Sequence, residues 1–203
     1  MNKDNRITLW IIGSNGSGKT TQAKLLHQIE PNSSPIYKTS SLAGSTICYT
    51  EFGPSHLVCN VGWVKDNQCT GVDSLSTREQ IEKSYQKALF SQNKIIIVDG
   101  IMATGTWLNF LRNDKTKLIV ILLHFESTIQ NAKRIQQRRA NKENGVVRPI
   151  EEKTFKNLEG KIKGFKSMFD KAKQVADESL QINANLPEQE IHEAICKLIF
   201  ETI

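Results

Sequence analysis

The sequence predicts an α/β domain whose parallel sheet is covered by helices on both faces. Three observations lead there. Strand-like apolar runs alternate with helix-like segments along the whole chain. Two of the runs, 94-KIIIVDG-100 and 117-KLIVILLHF-125, are apolar without alternation, as strands buried on both faces are. A glycine-rich turn, 13-GSNGSGKT-20, joins the first run to the first helix. In such folds ligands collect at the carboxyl ends of the strands, where this turn and Asp99 both fall.

The elements follow in order. A strand over 7–12 leads through the turn to a helix over 19–29. Residues 30–41 read as loop. Two strand-type runs, 46–51 and 56–61, flank Gly53-Pro54-Ser55 and read as a β-hairpin. The segment 65–75 is again loop. Ser76 and Glu79 form a capping box that opens a helix over 77–93, with Ile81, Tyr85, Ala88 and Leu89 on one face. After the strand 94–100 come a short helix over 104–112 and the strand 117–125. A long helix, 127–144, is strongly basic in its second half and ends at Gly145. A helix over 151–177, a strand over 179–184 and a terminal helix opened by Pro187 complete the chain.

A chain of 203 residues with 38% apolar and 24% charged residues suits one well-buried domain. No run of about 18 apolar residues exists to cross a membrane. The N-terminus, MNKDNRITLW, lacks the apolar stretch of a secretion signal, so the expected location is cytoplasmic. The formal net charge of +6 favours polyanionic partners, nucleotide and nucleic acid alike. Cys48, Cys59, Cys69 and Cys196 contain no C-x-x-C pair and read as reduced thiols; a Cys48–Cys59 bridge across the hairpin and a zinc site are the weaker readings.

Gly13, Gly18, Lys19 and Thr20 match G-x-x-x-x-G-K-[ST] in the strand–turn–helix setting that motif requires. The residues expected to hold a nucleoside triphosphate are Gly13, Ser14, Asn15, Gly16, Ser17, Gly18, Lys19, Thr20 and Thr21. Gly13, Gly16 and Gly18 let the chain wrap closely enough to aim backbone N–H groups at one anion. The helix N-terminus adds partial positive charge. Lys19 is expected on the β- and γ-phosphates and the Thr20 hydroxyl on Mg²⁺. Asp99, closing an apolar strand, is the second expected Mg²⁺ residue; a turn-capping aspartate is the competing reading.

Arg134, Arg138 and Arg139 lie on the basic helix, and Arg134 and Arg138 share a face. They are candidate stabilisers of a transferring phosphoryl group, on a helix-turn-helix that Gly145 and the stretch to Pro149 would let close as a lid over 127–150. Arg148 is a further candidate. A solvated basic face is the alternative. Asp73, in 71-GVDSL-75, is the first candidate for a general base, with Glu51 second. Arg78 is a candidate grip on an acceptor phosphate. Tyr49, Phe52 and Trp63 concentrate around the hairpin, either as a stacking platform for a base or as ordinary packing. Trp107 is a candidate for the acceptor side, and His124 reads as structural.

On 13-GSNGSGKT-20, 98-VDG-100 and 134-RIQQRR-139 the chain resembles the P-loop kinases of the nucleoside and nucleoside-monophosphate type. The resemblance implies a three-layer fold around a five-stranded parallel sheet, with a β-hairpin insertion and a helical lid, and transfer of the γ-phosphate of Mg²⁺–ATP. Two features depart from that pattern: Gly100 is followed by Ile101-Met102-Ala103 without an arginine, and the region 46–75 differs from the usual acceptor module. On 56-HLVCNVG-62 and 69-CTGVDSL-75 it resembles small phage-encoded kinases, some of which phosphorylate 5-hydroxymethyluracil in DNA. That resemblance implies a DNA acceptor. A free nucleoside or nucleotide acceptor, and an ATPase that drives a partner, are the other two readings.

Overall fold

The computed structural model describes residues 5–29, 34–42, 45–53, 55, 57–64, 71–100, 104–142 and 145–203. Cys69 and the rest of the loop 65–70 lie outside the described residues, as do Pro54 and His56 of the hairpin, 101–103 after Asp99, and 143–144 before Gly145.

The strands are β1 (Ile7–Gly13), β2 (Pro35–Leu42), β3 (Ser45–Phe52), β4 (Val58–Val61), β5 (Ile95–Asp99), β6 (Lys117–His124) and β7 (Glu178–Asn183). The helices are α1 (Lys19–His27), α2 (Arg78–Leu89), α3 (Leu108–Leu111), α4 (Thr128–Lys142), α5 (Glu152–Ala172) and α6 (Glu188–Thr202). The protein is α/β: one seven-stranded mixed sheet, in the order β2-β3-β4-β5-β1-β6-β7, lies between two helical layers.

This corrects the expected five-stranded parallel sheet. Neighbours from β4 through β5, β1 and β6 to β7 run parallel, while β3 pairs antiparallel with β4, and β2 with β3. The hairpin therefore is no insertion. Its second strand belongs to the parallel set, and its first continues the sheet outward. Strand β2 occupies residues read as loop from the sequence. Its described side chains from Pro35 to Lys38 are exposed, so no apolar face announces it. Pro35 and Lys38 are residues that blunt a sheet edge against further pairing.

The expected capping box is shifted by one residue. Thr77 Oγ1 accepts from the Gln80 N–H at 3.2 Å, and Gln80 Oε1 accepts from the Thr77 N–H at 3.1 Å. The run STREQ contains both frames, and local spacing alone does not choose between them. Helix α2 buries Ile81, Tyr85, Ala88 and Leu89, the stripe expected for it.

Both sheet faces are apolar, which is why β1, β5 and β6 read as unbroken runs. Trp10, Ile96, Val98 and Val120 pack under α2, α3 and α5. Leu9, Ile11, Ile97 and Ile121 pack under α1 and the Ile191–Ile195–Ile199 stripe of α6. Each fully buried aliphatic side chain here is worth about 1.5–3 kcal/mol. Strand β1 thus sits mid-sheet with β5 on one side and β6 on the other. The chain reverses its direction of travel across the sheet there, so a crevice opens above the carboxyl end of β1.

Candidate functional site

Strand β1 delivers Gly13 to that crevice. A Cβ on Gly13 would meet the Leu123 carbonyl and fall 2.6 Å from Ser17 Oγ, so only glycine lets the turn fold back onto β6. The Ser17 N–H donates to Ser14 O at 3.2 Å, and the Gln22 N–H to Gly18 O at 2.9 Å, which starts α1. No side chain caps α1, and its first turn holds no acidic residue. Its N–H groups and positive dipole end face the crevice without a side-chain cap.

Lys19 opens α1 and is buried, with its Nζ donating to Gly13 O at 2.7 Å and Ser14 O at 3.0 Å. The ammonium also lies 5.9 Å from the centre of the Phe165 ring on α5. Burial pulls its pKa down to about 8, against the opposing charges of Asp99 and Asp73, while Lys161 and Arg138 add repulsion.

Asp99 ends β5 in register with Ile11 of β1, so the carboxylate stands beside the strand entering the turn. It is 2% exposed. Burial pushes its pKa up and the neighbouring Asp73 adds to this; the hydrogen bond from Asn60 Nδ2, at 3.0 Å, and the Lys19 charge work the other way. Asp73 sits in a 3₁₀ turn, Val72–Ser74. That turn is pinned to the end of β4: the Gly71 N–H donates to Trp63 O at 2.8 Å, and the Trp63 N–H to Ser74 Oγ at 2.8 Å. Two glycines permit the approach of the carboxylates. A Cβ on Gly71 would strike the Asp99 carboxylate, and one on Gly100 would lie 2.7 Å from Asp73 Oδ1.

Thr20 and Asp99 line one narrow cleft with Asn60 and Gly71. A hydroxyl and a carboxylate are the hard oxygen donors that suit Mg²⁺, which keeps its remaining positions for water and phosphate. Among the described residues no group of three or more His, Cys, Asp or Glu gathers. The donor set fits the ion.

Helix α4 crosses the turn from the opposite side. Asn131 Nδ2 donates to Ser14 Oγ at 2.8 Å, and a Cβ on Gly16 would lie 3.2 Å from Ile135. The first half of the expected lid is thereby anchored. Arg134 and Arg138, the two alternatives for stabilising a transferring group, differ in their surroundings. Arg134 lies 3.7 Å from Glu188 at the start of α6, whereas Arg138 lines a cavity beside Asn15 and Gly16 of the turn. Arg138, Arg139 and Lys161 line a cavity of about 340 Å³ with Asn15, Gly16 and Asn157, and no carboxylate is among its lining residues.

Lys161 is the site residue that sequence reasoning missed. Its Nζ reaches Asn15 Oδ1 at 3.5 Å. Little in the sequence marked it: Lys161 is exposed on α5 like Lys163 and Lys166, and only its spacing, three residues after buried Leu158 and four before buried Phe165, sets it apart.

Other candidates lie elsewhere. Glu51 is at the amino end of the sheet, bound by Asn93 Nδ2 at 2.9 Å and Lys38 at 3.3 Å, too far from the crevice to serve as its base. Arg78 is exposed at the start of α2, and Arg148 is exposed between α4 and α5. Trp107 is core, stacked on Trp10 with ring centres 6.3 Å apart, and does not line an acceptor pocket. The hairpin aromatics form no common platform: Phe52 stacks on His27, Trp63 tilts against Tyr37, and Tyr49 packs on the core. His124 ends β6, where its carbonyl accepts from the Ala184 N–H at 2.7 Å. Cys48 and Cys59 are not bridged to each other; Cys59 stands opposite Glu51.

No family model matches this chain, and no curated protein matches it. Among the described residues no helix is long and apolar enough to cross a membrane.

Proposed function

We propose that this chain is an Mg²⁺–ATP-dependent phosphotransferase acting on a hydroxyl of a nucleic-acid-type acceptor, the hydroxymethyl group of 5-hydroxymethyluracil in DNA. One observation carries the kinase reading. Lys19, at the mouth of an uncapped helix, is buried against the carbonyls of Gly13 and Ser14, and its charge is acted on by the carboxylates of Asp99 and Asp73 and by the cations Lys161 and Arg138. Such opposed charges suit a reaction in which a phosphoryl group passes between two oxygens.

The turn amides and Lys19 hold the β- and γ-phosphates. Thr20 and Asp99 are the residues that would hold Mg²⁺, which supplies charge neutralisation between those phosphates. Asp73 accepts the acceptor's hydroxyl proton. The freed oxygen bonds to the γ-phosphorus as the bond to the β-phosphate oxygen breaks, and ADP leaves. Arg138 and Lys161 neutralise the charge on the group in transit.

The acceptor assignment draws on charge placement. Residues 127–173 hold 13 Lys and Arg against 5 Asp and Glu, an excess of +8, while the rest of the chain holds 14 against 16, or −2. The whole positive surplus lies on the helical pair beside the crevice, where a phosphate backbone would be held. The cavity of about 340 Å³ favours the second reading, a free nucleoside or nucleotide.

The test is γ-labelled ATP with hydroxymethylated DNA, ordinary DNA or a nucleoside panel. Label in the modified DNA, lost steeply with added salt, is the expected result. Label in a nucleoside replaces the acceptor; steady hydrolysis without a labelled acceptor replaces the kinase with an ATPase.

A further inference from the structure

Within β4, between apolar neighbours, Asn60 is completely buried. An amide in such a place costs several kcal/mol unless its hydrogen bonds are made. Here they are made with a definite direction. Nδ2 donates to Asp99 Oδ1 at 3.0 Å and to Val61 O at 3.1 Å. Oδ1 therefore faces His27 Nε2, at 3.1 Å, and that nitrogen must carry the ring proton. Phe52 fixes the ring plane by stacking on it, 3.8 Å between centres and 6° from parallel. His27 in turn belongs to α1, the helix that begins with Lys19 and Thr20.

We propose that Asn60 is a positioning residue for Asp99, and that His27 locks Asn60 in the orientation that makes it one. The proposal rests on the reading of Asp99 as a residue that would hold Mg²⁺. A Leu–Val pair would fill the same space without desolvating two polar groups. What the His–Asn pair adds is one fixed carboxylate oxygen, set by the same helix that sets Lys19 and Thr20. The phosphate-binding turn and the carboxylate are then positioned by one rigid unit, α1 clamped to β4. Partners that orient a metal-holding carboxylate in this way typically account for 10–100-fold in metal affinity.

The test separates metal from nucleotide. ATP binding is measured by calorimetry in EDTA and across a Mg²⁺ titration, for the wild type, Asn60→Ala, His27→Leu, the milder His27→Asn, and His27→Gln. The glutamine amide can reach Asn60 Oδ1 from the position of Nε2; asparagine is too short. Thermal melts identify the variants that fold. Expected is a Mg²⁺ midpoint raised about 10–100-fold in Asn60→Ala, His27→Leu and His27→Asn. Metal-free affinity should stay within about twofold, and His27→Gln should return near wild type, as a lost hydrogen bond and not lost packing predicts. An unchanged midpoint in the folded variants overturns the proposal, as does a glutamine variant no better than leucine. A wild type that binds no nucleotide under either condition overturns the kinase reading itself, and is a separate result.

Discussion

The two ends of the parallel strands both hold buried charge, and they use it in opposite ways. At the amino end, Arg6 gives its guanidinium to Asn93 O and Leu89 O at 2.9 Å and to Ser91 O at 3.0 Å. Glu51 there is held by Asn93 and Lys38. Every charge is answered from within the protein, and the cluster ties β1, β3 and the α2–β5 connection together. At the carboxyl end, two carboxylates crowd each other and a lysine is desolvated until its pKa falls to about 8. An uncapped helix terminus stands beside them. Buried charge alone does not mark a site; opposed charges crowded into a crevice are the stronger candidate, because a bound ligand would relieve them.

The contrast predicts a reciprocal pair of mutants, and the largest effects belong there. Lys19→Ala should abolish phosphoryl transfer, a loss of at least about 10³-fold, while the thermal midpoint stays within a few degrees. Arg6→Ala should do the reverse: about 2–3 kcal/mol lost in urea denaturation, with turnover per folded molecule unchanged. Next in size is Asp73→Asn, expected to slow single-turnover transfer by about 10²–10⁴-fold with ATP affinity altered less than about threefold. Its counterpart Glu51→Gln should leave transfer untouched. If Glu51→Gln proves the slower enzyme, the two ends have been assigned the wrong way round.

Smaller effects sharpen the comparison on the cationic side. Arg138→Ala should cost roughly 10²-fold in turnover, Lys161→Ala about tenfold and Arg134→Ala under threefold. That ranking follows which side chains line the cavity beside the turn and which lies against Glu188. A pH dependence of stability, away from the cationic side, completes the comparison. Burial lowers the His27 pKa from 6.5 to about 4. The unfolded chain binds this proton more readily, so stability is lost as pH falls from about 6.5 toward 4, by up to about 3 kcal/mol. His27→Gln should flatten that slope in urea melts at pH 4.5 and 7.

Local patterns were legible where one signal decided the outcome. The turn before α1, the Asp99 strand ending beside β1, the α2 stripe and the break at Gly145 all rest on spacings of a few residues. Strand β2 was not legible, because its exposed edge carries no alternating apolar face. The cap of α2 was misread because STREQ holds two equally good frames. Trp107 was misread because an aromatic after a turn looks alike whether it stacks on a ligand or on Trp10.

The amino-acid sequence by itself determined that a glycine-rich turn would meet a lysine and a helix at the end of a buried strand, since backbone freedom and periodicity act over a few residues. Only the tertiary structure decided which distant groups answer that lysine. Asp73, Asp99, Arg138 and Lys161 come from four separate segments, and their meeting depends on strand order, on glycines that let two turns touch, and on the packing of α5 beside α4. Charge acts through space rather than along the chain, so the chemistry of this crevice belongs to the fold.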